Sequence, residues 1–81
     1  MTEGQLQSKK IKELESQGYY VIKLMKTNKN GIPDLLALKL NEPPYFVEVK
    51  TPKGRVSPLQ EYRLSELKKL GFQTEIYNGQ R

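Results

Sequence analysis

Asp34, Glu48 and Lys50 are the residues of this 81-residue chain whose types and spacing could do chemistry together. Glu48 and Lys50 sit two apart in a stretch rich in β-branched and aromatic residues. A strand there points both to one face and sends Val47 and Val49 to the other. Asp34 opens the preceding strand, and a hairpin between the two brings its carboxylate toward Glu48. Two carboxylates held close repel and one pKa rises, a conflict that a hard divalent cation with oxygen ligands resolves. Magnesium bound there would polarise a phosphoryl oxygen and lower the pKa of a coordinated water. Lys50 would orient the attacking water or offset charge in the transition state. The same residue types also fit blander roles: a surface cross-strand pair for Glu48 and Lys50, and a turn start for Asp34 after Pro33.

Composition narrows the chemistry further. The chain has no histidine, which removes imidazole as a general base and every nuclease scheme built on it. It has no cysteine either, so disulfide frameworks and zinc ribbons are excluded and a reducing, intracellular setting fits. Lys and Arg number 14 against 9 Asp and Glu, a net charge of +5. That excess suits a polyanion such as nucleic acid, and equally an ordinary solvated surface. No run approaches the roughly 20 apolar residues of a membrane span, and the polar start MTEGQLQSKK lacks a signal-peptide core. The expectation is a soluble cytoplasmic protein with no membrane partner, in host cytoplasm if the source is viral. Length and a hydrophobic content of 36% predict a single domain over residues 1–81. Such a chain buries only roughly 60 to 65% of its unfolded surface, so self-association would help it.

The elements that must position these residues follow from local signals. Thr2 and Gln5 form a capping box for a helix running to about Gln17, with Leu6, Ile11 and Leu14 on its inward arc, Glu3 in the same arc, and Gly18 as stop. Tyr19 to Thr27 reads as a strand ending at Asn28-Lys29-Asn30-Gly31. Asp34 to Leu40 reads as a central strand and Tyr45 to Thr51 as its hairpin partner across the turn at Asn41-Glu42-Pro43-Pro44. Ser57-Pro58-Leu59-Gln60 combines an N-cap, a first-turn proline and a capping-box glutamine. It starts a second helix that buries Leu59, Leu64, Leu67 and Leu70 and stops at Gly71. Phe72 to Tyr77 is the last strand. The order αβββαβ implies an α/β fold with a mixed four-stranded sheet, because strand, helix, strand makes one parallel pair.

Gly31-Ile32-Pro33-Asp34-Leu35-Leu36-Ala37-Leu38, then Phe46-Val47-Glu48-Val49-Lys50-Thr51-Pro52, then Ser57-Pro58-Leu59-Gln60, together resemble the virus-type replication-repair nuclease (VRR-NUC) family of the PD-(D/E)xK superfamily. The chain looks like a stand-alone viral or phage member, and the similarity covers nearly all of it. The resemblance implies a restriction-endonuclease-like αβββαβ core. It also implies a metal site, Mg²⁺ or Mn²⁺, made by Asp34, Glu48 and the backbone carbonyl of Val49, with Lys50 as the catalytic lysine. It suggests Glu3 as a further ligand, although Glu3 also complements the positive helix start, and Gln60 as a site residue beside its capping role. Related nucleases place a tyrosine four positions after this glutamine, where this chain has Leu64; its tyrosine is Tyr62.

Two basic loops flank the expected cleft, Lys26 with Lys29 and Lys53 with Arg55, and are expected to contact DNA phosphates. Lys9, Lys10 and Lys12, and Lys68 and Lys69, are expected to face solvent or complement a helix end. The functional expectation is a metal-dependent, structure-selective DNA endonuclease acting in repair or recombination, a resolvase of four-way (Holliday) junctions working as a homodimer. Flap, nick or general duplex cleavage by the same chemistry, and a silent DNA-binding module, are the rivals. The dimer surface is expected on the exposed side of the second helix or the edge with Phe72, Ile76 and Tyr77.

Overall fold

The computed structural model describes residues 1–79; the expected domain of residues 1–81 includes residues 80–81, which lie outside that range. The elements are α1 (Glu3–Ser16), β1 (Tyr20–Lys23), β2 (Leu35–Leu38), β3 (Tyr45–Val49), α2 (Pro58–Lys69) and β4 (Gln73–Tyr77). The sheet runs β1-β2-β3-β4, antiparallel in its first two pairings and parallel between β3 and β4. This is the expected αβββαβ order.

Both helices start where their side chains satisfy free backbone donors. Thr2 Oγ1 accepts the Gln5 N–H at 3.1 Å while Gln5 Oε1 accepts the Thr2 N–H at 2.8 Å. Ser57 and Gln60 repeat the arrangement at α2 with distances of 3.1 and 2.9 Å. Each reciprocal pair removes two orphan donors and is worth about 1 kcal/mol.

The strand register sorts side chains into two faces. Leu35 pairs with Val47 and Val49 with Tyr77, and these residues join Ala37, Leu6 and Leu14 in one buried cluster under α1. Removing Leu14 from this cluster would cost about 3 kcal/mol, since its site is fully enclosed. On the opposite face Ile22, Leu36, Phe46 and Thr74 form a cross-strand row. Helix α2 packs beside β4 on that face, with Leu64 buried and Phe72 stacked near Phe46 at 5.9 Å between ring centroids. The β1 side of the same face stays largely uncovered, leaving Tyr20 71% exposed.

Several sequence expectations need correction. The first strand ends at Lys23 rather than Thr27. Its last hydrogen bond is Leu24 N–H to Asp34 O at 2.8 Å, and Pro33 beyond has no N–H to continue the ladder. The second strand ends at Leu38, before a turn where Asn41 takes a positive φ of 66°. Leu59 and Leu70 are exposed, because α2 presses the Leu64 side of its apolar arc onto the sheet. Tyr77 lies on the edge strand β4 as expected, but its side chain is buried in the core under α1.

Lys10 is the largest departure. It is 3% exposed, with its ammonium 3.2 Å from Glu13 Oε1, 3.4 Å from Glu75 Oε2 and 4.8 Å from the Tyr77 ring centroid. Tyr45 donates its hydroxyl hydrogen to Glu75, so the buried charge sits in a connected polar network.

Candidate active site

The end of β3 gathers the chemistry. Glu48 projects from β3 onto the α2 face while its neighbours Val47 and Val49 enter the α1 core. Its side chain is 2% exposed. Lys50 follows the strand, anchored by its N–H to Tyr77 O at 2.9 Å, and its ammonium lies 3.6 Å from Glu48 Oε2. Asp34 precedes β2 and is pinned across the hairpin, where its Oδ2 accepts the Val49 N–H at 2.8 Å. That bond puts the Asp34 carboxyl alongside Glu48, close enough for their side chains to interact directly.

Gln60 reaches the same place from α2. Its Nε2 donates to Glu48 Oε2 at 3.2 Å. Burial, and then the neighbouring Asp34 carboxylate, push the Glu48 carboxyl up to about 7, against the opposing pull of Lys50. One lysine therefore leaves the carboxylate pair undercompensated. Its oxygen donors match what a hard divalent ion asks for, which holds magnesium through one or two carboxylates and keeps water in its other positions. Asp34, Glu48, Lys50 and Gln60 thus converge from β2, β3 and α2.

The other expected residues lie further out. Glu3 sits exposed in the first turn of α1, and no group of three or more Asp, Glu, His or Cys residues clusters among the described residues, so Glu3 is not brought to the pair. Lys26 and Lys29 are exposed and line a hollow of about 360 Å³ that also contains Asp34. Lys53 and Arg55 are exposed on the loop after Lys50, where Gly54 N–H closes a turn onto Thr51 O at 2.9 Å. Tyr62 is exposed on α2, with the Arg63 guanidinium 5.6 Å from its ring centroid.

Sequence reasoning passed over Arg63. Its Nε donates to Asn30 O at 2.9 Å and its NH1 to Glu66 at 2.9 Å, tying the β1–β2 loop to α2. Gly31 makes the same approach possible: its φ is +79° and a Cβ there would stand 2.8 Å from Leu59 Cγ. The i,i+3 spacing of Arg63 and Glu66 is visible in the sequence, but the Asn30 partner is not.

A comparison with curated proteins returns no match. A solved structure described as a VRR-NUC domain superposes with a TM-score of 0.82 at 28% identity, over 94% of this chain and 83% of that one. The VRR-NUC domain family matches residues 2–81. That match spans the strand ends bearing Asp34, Glu48 and Lys50 and the helix bearing Gln60, and the chain belongs to the VRR-NUC family of nuclease-type domains.

Proposed function

We propose that this chain is a divalent-metal-dependent DNA endonuclease selective for branched structure, acting as a homodimer on four-way junctions. The observation that carries the chemistry is the Glu48 carboxyl, 2% exposed and facing Asp34, with Lys50 as the one cation paired with it among the described residues. Asp34, Glu48 and the Val49 carbonyl are the proposed ligands of Mg²⁺ or Mn²⁺. The bound ion supplies Lewis-acid polarisation of the phosphodiester and activation of water. Asp34 and Glu48 hold that position, Gln60 keeps the Glu48 carboxylate from turning away, and Lys50 orients the nucleophile and offsets the charge that builds on the phosphoryl oxygens. Lys26, Lys29, Lys53 and Arg55 supply phosphate contacts without base readout.

The homodimer reading draws support from the uncovered sheet face. Tyr20 and Ile22 on β1 are exposed apolar residues on the part of that face that α2 leaves uncovered, and a two-fold partner there would extend a small core. Two sites related by that axis match the paired incisions a four-way junction requires. No helix among the described residues is long and apolar enough to cross a membrane.

The test incubates purified protein with labelled four-way junction, flap and linear duplex DNA, with Mg²⁺ or with chelator. The expected result is metal-dependent cleavage of the junction above the other two, abolished in Asp34→Asn, Glu48→Gln and Lys50→Ala with the fold intact. Cleavage in excess chelator, or wild-type rates in any of these variants, overturns the site. Flap cleavage above junction cleavage, or a monomer by light scattering, removes the resolvase reading and leaves a nuclease of the same chemistry.

A further inference from the structure

The β1–β2 loop separates two hollows. One holds Asp34. The other, on the side toward α2, encloses about 340 Å³ over an aliphatic floor of Ile32, Leu67 and Leu70, with Lys29, Arg63 and Lys69 around it. Leu70 is 68% exposed at the end of α2, an apolar side chain for which the rest of the fold provides no cover.

We propose that this second hollow takes one unpaired nucleotide of the DNA strand whose phosphodiester lies at Asp34, its base on the aliphatic floor and its flanking phosphates on Lys29 and Lys69. The inference rests on the nuclease reading of the Asp34 site and adds how that site tells branched DNA from paired DNA.

Three features carry it. The lining mixes an apolar floor with an excess of positive charge: Glu66 is the one carboxylate there, and its hydrogen bond from Arg63 holds its pKa below the ordinary carboxylate value. A plain anion has no use for the leucines and an apolar ligand has none for the lysines, whereas an unpaired nucleotide sets its base against apolar side chains and its phosphates on lysines. Next, Lys29 and Ile32 line both hollows, so a strand passing over Lys29 from the catalytic side enters the second hollow. Finally, the walls are pre-set. Arg63 fastens the loop through Asn30 O at 2.9 Å, and Gly31 seats against Leu59. A base stacked and paired inside a duplex cannot reach such a floor, so occupancy reports an unpaired nucleotide.

The test measures binding by fluorescence anisotropy in chelator, where no cleavage intrudes. Three labelled duplexes are compared: one fully paired, one with a single unpaired nucleotide, and one with an abasic residue in that unpaired position. Wild type is expected to bind the base-bearing bulge about tenfold tighter than the abasic one. Leu70→Gln, a neutral change at an exposed position, is expected to erase that difference while keeping affinity for the paired duplex. Equal binding of the two bulges by wild type, or a preference that survives in Leu70→Gln, overturns the proposal and leaves the nuclease reading standing. Failure to bind any of the three overturns both. If Leu70→Gln instead converts a dimer to monomer by light scattering, the hollow is a contact between copies and the proposal falls.

Discussion

One amide holds both the start of α2 and the Glu48 carboxyl. Gln60 Oε1 accepts the Ser57 N–H at 2.9 Å, which leaves Gln60 Nε2 to donate to Glu48 Oε2 at 3.2 Å. Gln60→Glu separates the two roles. A glutamate still closes the capping box but offers Glu48 an oxygen in place of a donor. Thermal melts of the metal-free variant should match wild type near pH 5, where a proton is shared, and fall below it near pH 8. Gln60→Ala should instead lose about 1 kcal/mol near pH 5, as expected for a lost cap, and more near pH 8, where the ionised Glu48 also loses its donor. Identical melts of Gln60→Glu and wild type at pH 8 would show that the Glu48 contact carries no weight.

The raised Glu48 pKa makes the metal-free protein pH-sensitive in a defined direction. Its ordinary value of 4.5 rises to about 7 in the fold, so between these values the folded chain holds a proton that the unfolded chain has released. The resulting stabilisation is complete below 4.5, is on the order of 3 kcal/mol, and is lost as pH rises through 7. Urea unfolding at pH 5 and pH 8 should show this difference in wild type and a flatter profile in Glu48→Gln. Adding Mg²⁺ at pH 8 should restore stability to wild type and do little for the variant.

Lys53 and Arg55 are exposed beside the site loop, the placement expected of phosphate contacts. Replacing both with Ala should raise KM more than it lowers kcat on junction DNA. The slope of log affinity against log salt should shrink by about 2. An unchanged slope would make this loop ordinary solvated surface.

The buried Lys10 network predicts an asymmetry between two substitutions. Lys10→Met keeps an unbranched stem against Tyr77 but takes the cation from the part-exposed Glu13 and Glu75, and should cost about 1 kcal/mol. Lys10→Ala loses the cation and the stem packing together, for an expected loss of about 3 kcal/mol. Chemical denaturation of the two variants gives the comparison. Equal losses would mean the charge, rather than the stem, is what the core requires.

What the sequence makes legible depends on how local the cause is. Both capping boxes can be read because Thr2 with Gln5 and Ser57 with Gln60 sit three residues apart. The alternation around Glu48 likewise predicts its face and that of Val47 and Val49. Lys10 cannot be read this way: its acceptor Glu75 comes from the far end of the chain, and a lysine on an otherwise polar helix gives no sign of burial. Leu59 and Leu70 belong to the same helical arc as Leu64, but which part of the arc meets the sheet depends on how α2 tilts onto β4. The link from Arg63 to Asn30 is hidden for the same reason. Glu3 shows the converse, since a residue on the inward arc of α1 still stands exposed once the helix is docked.

The bond from Lys50 N–H to Tyr77 O sets an order of events when the chain is made. A ribosome releases Asp34, Glu48 and Lys50 first, and the β1-β2-β3 meander can pair from neighbouring segments alone. Gln60 and the β4 carbonyl that anchors Lys50 arrive only after the α2 crossover, whose parallel pairing joins distant segments and closes slowly. An unfinished chain therefore displays both carboxylates without the amide that steadies one of them or the strand that fixes the lysine. Completion of the candidate site therefore waits on the pairing of β4 with β3.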